Sequence, residues 1–350
     1  MPSWETASLA SSRAHASQAA PALDISVGIS VIIVNFNTRE LLTNCLESLQ
    51  RHAGAATEII VIDNHSSDGS AEAVRTQFRQ AMLVENSQNL GFAKANNQGI
   101  RKARGKYFLL LNSDTVIGPG ALDVMADFLD THPEAAGVTC RLLNADGSIQ
   151  ASVSHRPGPL LLLLRLSGLA GMFQTDGRRR WLRRYLGWLL GRTLRVYLDP
   201  YAASGRPLEV ENISAACLML RREAVEQVGL LDESFFMYFE DMEYCIRLHQ
   251  GGWKLYYLPK GEVIHLVGQS SAGRMRDYSV HSYQGLFYLY RRHYSAMSRL
   301  IVRIVVVVAS SLRWMWNLVA SLVSRSPLRQ RNRRELQRVI RLCFQYRGQV

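Results

Sequence analysis

The feature that most constrains the fold is a series of short, mostly apolar runs, each of which is followed by polar residues. Three of them are VGISVIIV (27–34), EIIVI (58–62) and YFLLL (107–111). Each run is short for a helix, and its consecutive apolar residues would cover both faces of a strand. Strands with two apolar faces lie inside parallel sheets that helices cover on both sides. We therefore predict a buried strand at each position.

Segments with a helical spacing of apolar residues separate these runs. Helices are predicted over 41–49, 71–80 and 92–103, with a short strand over 82–85. Alternating strands and helices with polar strand ends are typical of a doubly wound α/β sheet. No GxGxxG follows the first strand and no GxxxxGK[ST] occurs, so a nucleotide would be held in another way.

The composition indicates a globular chain with reduced cysteines. The chain has 350 residues, of which 47% are hydrophobic and 20% charged, enough for one large or two ordinary domains. Its five cysteines are scattered and form no CxxC pair, so neither a zinc site nor a disulfide framework is predicted. We expect buried thiols, as in a cytosolic protein.

Two aspartates follow predicted strands, at the end of a sheet where ligands bind. Asp63 could accept hydrogen bonds from a nucleobase or a ribose. Asp114, in the sequence Asn112-Ser113-Asp114, could hold Mg²⁺ or Mn²⁺, which commonly bridge to substrate phosphates. We expect the two to follow neighbouring strands. The alternative for each is a turn-forming aspartate.

A second acidic pair, Glu240 and Asp241, lies at the predicted start of a helix after the apolar stretch 235–239, which we expect to bury that helix start. Acids at this position are favoured by the helix dipole, which needs no function. The alternative is catalytic, because a transfer to a hydroxyl group needs a base that accepts its proton.

Four segments in order carry a family resemblance: SVIIVNFN (30–37), EIIVIDNHSSDGS (58–70), NLGFAKANNQGIRKARGKYFLLLNSD (89–114) and LLDESFFMYFEDMEYCIRLHQGGWKLYYLP (230–259). The chain resembles the family 2 inverting glycosyltransferases over residues 28–270, and most closely their bacterial rhamnosyltransferase-like branch. The resemblance implies a GT-A type, doubly wound mixed sheet. It also implies metal-dependent transfer of a sugar, rhamnose from a dTDP-linked donor being favoured. The acceptor would be a saccharide or a lipid-linked saccharide in cell-envelope polysaccharide synthesis.

The resemblance also implies roles for individual residues on the donor side. Asp63 would contact the base, and Asn35 would line that pocket. Asp114 matches the last acid of the family's DxD motif, with Asn112 at the first position. The remaining donor-binding positions match a loop and the start of a helix; they are Gly91, Asn96 and Asn97.

On the acceptor side, the resemblance implies that Asp241 is the general base and that Glu240 helps to position the acceptor. It further implies that His265 is an additional ligand of the Mg²⁺ or Mn²⁺ ion. The alternative for this lone histidine is a core residue with satisfied hydrogen bonds.

Other functions stay open at this point. The donor could be another hexose on UDP or GDP, or the acceptor could be polyprenyl phosphate itself. In a different class, the chain could be a non-catalytic, membrane-bound scaffold that binds nucleotide sugars. A basic nucleic-acid binder would leave the carboxylates unexplained, so no nucleic-acid partner is predicted.

The chain is predicted to divide into three parts. Residues 1–25 form a disordered leader without a secretory signal. Residues 26–285 form the glycosyltransferase domain, within which 157–198 is an insertion rich in Arg, Trp and Leu. Residues 286–350 hold thirteen Arg, no Lys and one acid, Glu335, against a net charge of +12 for the whole chain.

The insertion and the C-terminal region are predicted to associate with an anionic membrane surface. Within 300–323, Arg303 and Arg313 interrupt the apolar sequence, and a polar stripe recurs at helical spacing. A monotopic helix in one leaflet fits this pattern better than a span, although a span with paired arginines stays open. We expect a peripheral or monotopic protein at the cytoplasmic face of the inner membrane.

Overall fold

The computed structural model describes residues 28–54, 56–156, 158, 205–266, 280–323 and 327–345. The predicted leader at 1–25 lies outside the described residues. The predicted insertion at 157–198 does so as well, apart from Gly158. Both therefore stay predictions.

The apolar runs of the N-terminal half form the parallel part of the main sheet. Its elements are β1 (Ile29–Asn35), α1 (Arg39–His52), β2 (Thr57–Asp63), α2 (Ser70–Gln77), β3 (Met82–Glu85), α3 (Phe92–Lys102) and β4 (Tyr107–Asn112). The strands lie in the order β3-β2-β1-β4, and each adjacent pair is parallel. The expectation that Asp63 and Asp114 follow neighbouring strands is wrong. The chain reverses its direction of winding after β3, as doubly wound sheets do, so that β1 separates β2 from β4.

The second half adds antiparallel strands. Its elements are β5 (Thr115–Ile117), α4 (Ala121–Thr131), β6 (Ala135–Leu143), β7 (Val153–Ser154), β8 (Leu208–Val210), β9 (Asn212–Ile213), β10 (Cys217–Arg221), α5 (Arg222–Val228), α6 (Glu240–Gln250) and β11 (Lys254–His265). β10 lies antiparallel between β4 and β6, whereas β11 is parallel to β6 and antiparallel to β5 and β8. Within the described residues, nine strands form the main sheet, and β7 pairs with β9 separately. The predicted mixed α/β sheet is confirmed.

Consecutive residues of the central strands are buried in two different cores, which explains why the runs are apolar at every position. Val31 and Ile33 of β1 pack in the core that α1 and α4 cover. Ile32 of β1 and Leu110 of β4 pack in the opposite core, which α3 and α6 cover and which includes Tyr244. The sheet is thereby fixed between helices, with its strand ends free to carry a site.

Three helices follow the sheet: α7 (Val280–His293), α8 (Ala296–Val323) and α9 (Pro327–Gln345). They bury a small core of their own around Val302 and Val339. Leu289 of α7 also packs against Phe235 and Ile246 of the sheet domain. The boundary predicted between residues 285 and 286 therefore falls inside a helix that contributes to two cores. Within the described residues, no helix combines the length and the apolarity that crossing a membrane requires.

Candidate active site

A buried chain of hydrogen bonds runs across the carboxyl ends of β2, β1 and β4. Asn35 Nδ2 donates to Asp63 Oδ1 at 3.0 Å, and Thr38 Oγ1 donates to Asn35 Oδ1 at 2.6 Å. The hydroxyls of Thr38 and Ser113 lie 3.0 Å apart. Because Ser113 immediately precedes Asp114, this chain joins the two predicted donor-side aspartates across the intervening strand.

Asp63 itself is buried at the end of β2. Its second oxygen, Oδ2, accepts a hydrogen bond from the backbone N–H of Ser66 at 2.9 Å. This is the contact of a turn-forming aspartate, the alternative raised from the sequence. Each carboxylate oxygen can accept a second hydrogen bond, so the turn leaves acceptor capacity for a ligand. The predicted contact of Asp63 with a base stays a prediction.

Asp114 and His265 meet at the turn between β4 and β5. Thr115 of β5 pairs with His265 at the end of β11, and the backbone N–H of Leu266 donates to the carbonyl of Asp114 at 2.9 Å. These contacts bring His265 Nε2 to 3.1 Å from Asp114 Oδ1. Both side chains are buried, at 5% and 2% exposure. Strand pairing thus brings together a carboxylate and an imidazole that the sequence holds far apart.

Gln150 orients His265 through two contacts, one to its imidazole ring and one to its backbone carbonyl. Gln150 Oε1 lies 2.6 Å from His265 Nδ1, and Gln150 Nε2 donates to the His265 carbonyl at 3.0 Å. An amide oxygen at Nδ1 places the ring proton there and leaves a lone pair on Nε2. Asn112 Nδ2 lies 3.2 Å from that Nε2. A neutral imidazole held in one tautomer by its other nitrogen is the form that ligates metals.

This donor set fits a divalent cation that shares its coordination with a substrate. Asp114 supplies carboxylate oxygens and His265 a ring nitrogen, and both side chains are buried together. Among the described residues, no group of three or more His, Cys, Asp or Glu side chains could hold a metal ion. Mg²⁺ and Mn²⁺ sites of this kind use one or two protein ligands and take the rest from phosphates and water.

Asp241 lies close to the same end of β4. Its Oδ2 accepts a hydrogen bond from the backbone N–H of Ala215 at 3.2 Å, and its Oδ1 accepts one from the N–H of Met242 at 2.7 Å. The neighbouring carbonyl of Ala216 accepts a hydrogen bond from the N–H of Asn112 at 3.0 Å. These two hydrogen bonds and the peptide between Ala215 and Ala216 therefore connect Asp241 to Asn112, the first residue of the DxD-like segment 112–114.

The backbone immediately before α6 is strained. Tyr238 and Phe239 have φ values of +73° and +71°, in the left-handed region that non-glycine residues rarely adopt. Residues held there typically cost about 1–3 kcal/mol each and concentrate at functional sites. The predicted burial of the helix start is confirmed, since Phe235 and Glu240 are buried, although Phe236 and Met237 within the same stretch are exposed. The strained turn fixes the positions of Glu240 and Asp241 at the start of α6, and it follows two apolar side chains, Phe236 and Met237, that are exposed.

Glu240 is a buried carboxyl group at the first position of α6. Burial and, second, the neighbouring charge of Asp241 raise the pKa of Glu240 to about 8. Its Oε2 has no hydrogen-bond partner among the described residues. Glu240 is thus protonated at neutral pH, and a neutral carboxyl group can donate a hydrogen bond, which a carboxylate cannot.

Two of the remaining predicted donor residues, Gly91 and Asn97, contact the segment before α6. A Cβ at Gly91, whose φ is +83°, would lie 2.4 Å from the carbonyl oxygen of Phe236. Asn97 donates to the carbonyl of Leu231 at 2.8 Å and accepts from its N–H at 3.0 Å. Asn96 Nδ2 donates within its own helix. These contacts are structural, and a direct contact of the three residues with a donor stays a prediction.

Two site residues carried no signal that sequence reasoning used. Gln150 lies beyond the turn at 144–147, where only loop chemistry was visible. Thr38 follows Asn35 by three residues, and its position at the start of α1 is the one cue that could have indicated it. Both act through a partner side chain, which single-sequence patterns do not show.

A sequence model of "Glycosyl transferase family 2" matches residues 30–229, more than half of the chain. The chain is 27% identical over 322 residues to the N-acetylglucosaminyl-diphospho-decaprenol L-rhamnosyltransferase of Mycobacterium tuberculosis, covering 89% of this chain and 97% of that protein. It is 26% identical over 231 residues to the low-salt glycan biosynthesis hexosyltransferase Agl10 of Haloferax volcanii, covering 63% of this chain and 61% of that protein.

Solved structures show the same fold at low sequence identity. The mannosyltransferase PcManGT of Pyrobaculum calidifontis, in complex with GDP-Man and Mn²⁺, aligns with a TM-score of 0.52 at 15% identity, over 91% of this chain and 88% of that one. GalNAc-T7 with UDP, GalNAc and Mn²⁺ aligns with a TM-score of 0.52 at 14% identity, over 76% of this chain. The present chain spans about half, 48%, of GalNAc-T7. The GT-A type fold is confirmed, and the chain belongs to glycosyl transferase family 2 and is a glycosyltransferase.

Proposed function

We propose that this enzyme transfers rhamnose, with inversion, from a dTDP-linked donor to a saccharide carried on a polyprenyl diphosphate. The relative from Mycobacterium tuberculosis supports both halves of the proposal. Its name specifies an L-rhamnosyl group and an N-acetylglucosaminyl-diphospho-decaprenol acceptor, and the alignment covers 97% of its length. The same reaction would serve cell-envelope polysaccharide synthesis.

The observation that carries the proposal is that three acidic positions converge at the carboxyl ends of the central strands. The buried hydrogen-bond chain joins Asp63 to Ser113, next to Asp114. Asp241 is connected to the end of β4 through Ala215 and Ala216. A donor anchored by the first two aspartates would present its sugar toward the third.

On the donor side, Asp63 and Asn35 would bind the base, and Gly91, Asn96 and Asn97 would shape the adjoining loop and helix. Asp114 and His265 would hold Mg²⁺ or Mn²⁺, and both structural neighbours named above were solved with Mn²⁺. A divalent cation at this position would neutralise charge that develops on the departing diphosphate.

On the acceptor side, the reaction is a single displacement at C1 of the sugar. The bond from C1 to the diphosphate oxygen breaks while a bond from C1 to the acceptor oxygen forms, and the diphosphate leaves with the electron pair. Asp241 would accept the proton of the acceptor hydroxyl. The backbone N–H groups of Ala215 and Met242 fix its carboxylate in place. Glu240, protonated at neutral pH, would donate a hydrogen bond that positions the acceptor.

The experiment that tests the donor assignment is a thermal-shift screen of dTDP-rhamnose, UDP-hexoses and GDP-mannose, each with Mn²⁺ and with EDTA. A specific donor raises the melting temperature by mass action. We expect dTDP-rhamnose to do so with Mn²⁺. A shift with a UDP or GDP sugar instead would move the assignment to another hexose.

Turnover separates the remaining alternatives. Transfer of radiolabelled sugar to a polyprenyl-diphosphate-linked N-acetylglucosamine, and not to bare polyprenyl phosphate, is the expected result. Donor binding without hydrolysis or transfer, in the presence of Mn²⁺ and either acceptor, would support the non-catalytic scaffold. The expected location is the cytoplasmic face of the inner membrane, where a lipid-linked acceptor would be within reach of a peripheral or monotopic protein.

A further inference from the structure

Helix α8 carries its apolar face on the outside of the protein. Trp316 is 73% exposed and Met297 65%, and seven further large apolar side chains on this face are also exposed. The set is Met297, Leu300, Ile301, Ile304, Val308, Leu312, Met315, Trp316 and Val319. Contiguous exposed apolar surface of this size marks an interaction site rather than ordinary protein surface.

These residues recur at intervals of three and four along α8, which places them on one stripe. At about 100° per residue, the stripe is about 160° wide and about 33 Å long. It therefore forms one continuous band along the helix, without a polar interruption larger than a serine.

The opposite face of α8 packs against α7 and α9. Val302, Val306 and Ser310 are buried there, and Arg303 and Arg313 are half-buried on the same side. The polar stripe predicted from the sequence thus faces partner helices, whereas an amphipathic helix of a soluble protein turns its apolar stripe inward. The helix is oriented for apolar surroundings on its outer side.

The stripe belongs to α8, and the three helices α7, α8 and α9 together are strongly basic. The exposed arginines among the described residues of α7, α8 and α9 are Arg291, Arg292, Arg299, Arg331, Arg334, Arg338 and Arg341. Glu335 is the one acid among the described residues of these three helices, and it pairs with Arg338. A wide apolar stripe on a strongly basic helical unit matches the surface of an anionic membrane, which attracts basic segments and accepts an apolar helix face.

We infer that the α8 stripe inserts into one leaflet of an anionic membrane, to which the basic charge of α7, α8 and α9 attracts the protein. A second copy of the chain is disfavoured as the occupant, because two helical units that each carry a strong net positive charge would repel each other. A nucleic acid would leave the apolar stripe uncovered. The inference goes beyond the proposed function, and the binding surface does not depend on which sugar is transferred.

The membrane contact would lie close to the chemistry. Leu289 of α7 packs on Phe235 and Ile246 of the sheet domain. On the same helix, His293 Nε2 lies 3.1 Å from the fully buried carboxylate of Glu243, two residues after Asp241. A helical unit fixed to α6 in this way would hold the acceptor side of the site at a constant distance from the leaflet.

The test is co-sedimentation of the full chain with vesicles of phosphatidylcholine, with and without phosphatidylglycerol. The wild type should bind the anionic vesicles more tightly, and added salt should weaken the binding without abolishing it. The double variant Val308→Glu/Leu312→Glu changes two exposed stripe residues and should bind at least tenfold more weakly. The matched control Met82→Glu changes an exposed apolar residue on β3, away from α8, and should bind like the wild type.

A second variant tests the charge separately. Arg334→Ala/Arg341→Ala should weaken binding to anionic vesicles at low salt, by less than the about fivefold per residue of an arginine at the membrane surface, and leave binding to neutral vesicles unchanged. Equal vesicle binding by the wild type and the Val308→Glu/Leu312→Glu variant, or none by either, would overturn the inference. A wild-type dimer that these substitutions dissociate in analytical ultracentrifugation would assign the stripe to a second copy instead.

Donor hydrolysis in solution keeps the two proposals apart. The Val308→Glu/Leu312→Glu variant should hydrolyse the donor at the wild-type rate, because neither residue contacts the site. Loss of vesicle binding with normal hydrolysis supports both proposals. Vesicle binding by a wild type that neither hydrolyses nor transfers any donor would overturn the proposed function and leave the membrane surface supported.

Discussion

His265 Nε2 lies 3.1 Å from Asp114 Oδ1, although the two residues belong to different strands that meet only in the folded sheet. The Gln150 amide oxygen occupies Nδ1, so that Nε2 is the ring nitrogen that faces the carboxylate. This pair is the part of the site whose chemistry most clearly calls for a cation, and two of the predictions concern it.

Asp114→Asn should abolish the Mn²⁺-dependent part of donor binding. The substitution keeps the size of the side chain but removes the charge that attracts the cation. The measurement is the donor-induced rise in melting temperature with Mn²⁺ and with EDTA, which should become equal in the variant. Asp146→Asn, in an exposed turn, is the matched control and should keep the wild-type difference. An undiminished Mn²⁺ effect in Asp114→Asn would contradict the metal assignment.

Gln150→Leu should raise the Mn²⁺ concentration needed for half-maximal activity by about 10–100-fold, because the imidazole loses the partner that fixes its tautomer. Saturating Mn²⁺ should restore most of the activity, since both proposed ligands are still present. A metal titration of activity measures this. An activity loss that no Mn²⁺ concentration reverses would mean that Gln150 supports the fold rather than the ligand.

Much of the N-terminal half could be predicted because each element there carries its own pattern. The strand Met82–Glu85 has the predicted bounds, and β1, β2 and β4 differ from the predicted ends by one or two residues. These runs are apolar at consecutive positions because both faces are buried, so local hydropathy was sufficient. The acidic pair at the start of α6 was predictable for a similar reason, since it follows an apolar stretch directly.

The predictions that were wrong or missing concern contacts between residues that are far apart in the sequence. Nothing local to Cys217–Arg221 shows that β10 enters the sheet antiparallel between β4 and β6. The order of β1 and β4 is likewise set by crossovers, so Asp63 and Asp114 could not be placed across β1. For α8, periodicity gives the stripe but not which side faces the neighbouring helices.

Glu240→Gln should stabilise the protein increasingly as the pH rises. In the wild type, folding keeps Glu240 protonated up to a pKa of about 8, whereas the unfolded chain ionises it near the ordinary value of 4.5. Stability from this group is therefore greatest below pH 4.5 and is lost as the pH rises toward 8. The neutral amide carries no such loss.

Melting temperatures of Glu240→Gln and the wild type, compared from pH 5 to pH 8, test this. The difference should grow across that range by about 2 °C or more. Glu47→Gln, on the exposed face of α1, should show a difference that does not vary in this way. A constant difference for Glu240→Gln would mean that its carboxyl group is ionised in the folded protein.

Gly91→Ala should destabilise the protein more than Gly229→Ala. Both glycines have nearly the same backbone angles, φ +83° with ψ 177° and φ +82° with ψ −177°, so both substitutions carry the same backbone strain of about 1–3 kcal/mol. A Cβ at Gly91 would also collide with the Phe236 carbonyl, whereas nothing lies within 4 Å at Gly229. Overpacking adds about 1–3 kcal/mol.

Urea unfolding of the two glycine variants gives this comparison directly. The Gly91 variant should also turn over more slowly, because the displaced segment leads into the strained turn before Glu240. Equal urea midpoints for the two variants would show that the backbone at Phe236 can shift without a loss of stability. In that case the contact with Gly91 would not fix the turn before α6.

The central claim is that Asp241 deprotonates the acceptor, and Asp241→Asn tests it most directly. The amide keeps the shape of the side chain but cannot accept the proton. The measurement is the rate of transfer to the acceptor at saturating donor, together with the dissociation constant of the donor. We predict a rate about 10²–10⁴-fold lower, with donor affinity close to that of the wild type. Transfer by Asp241→Asn at near the wild-type rate would contradict the account.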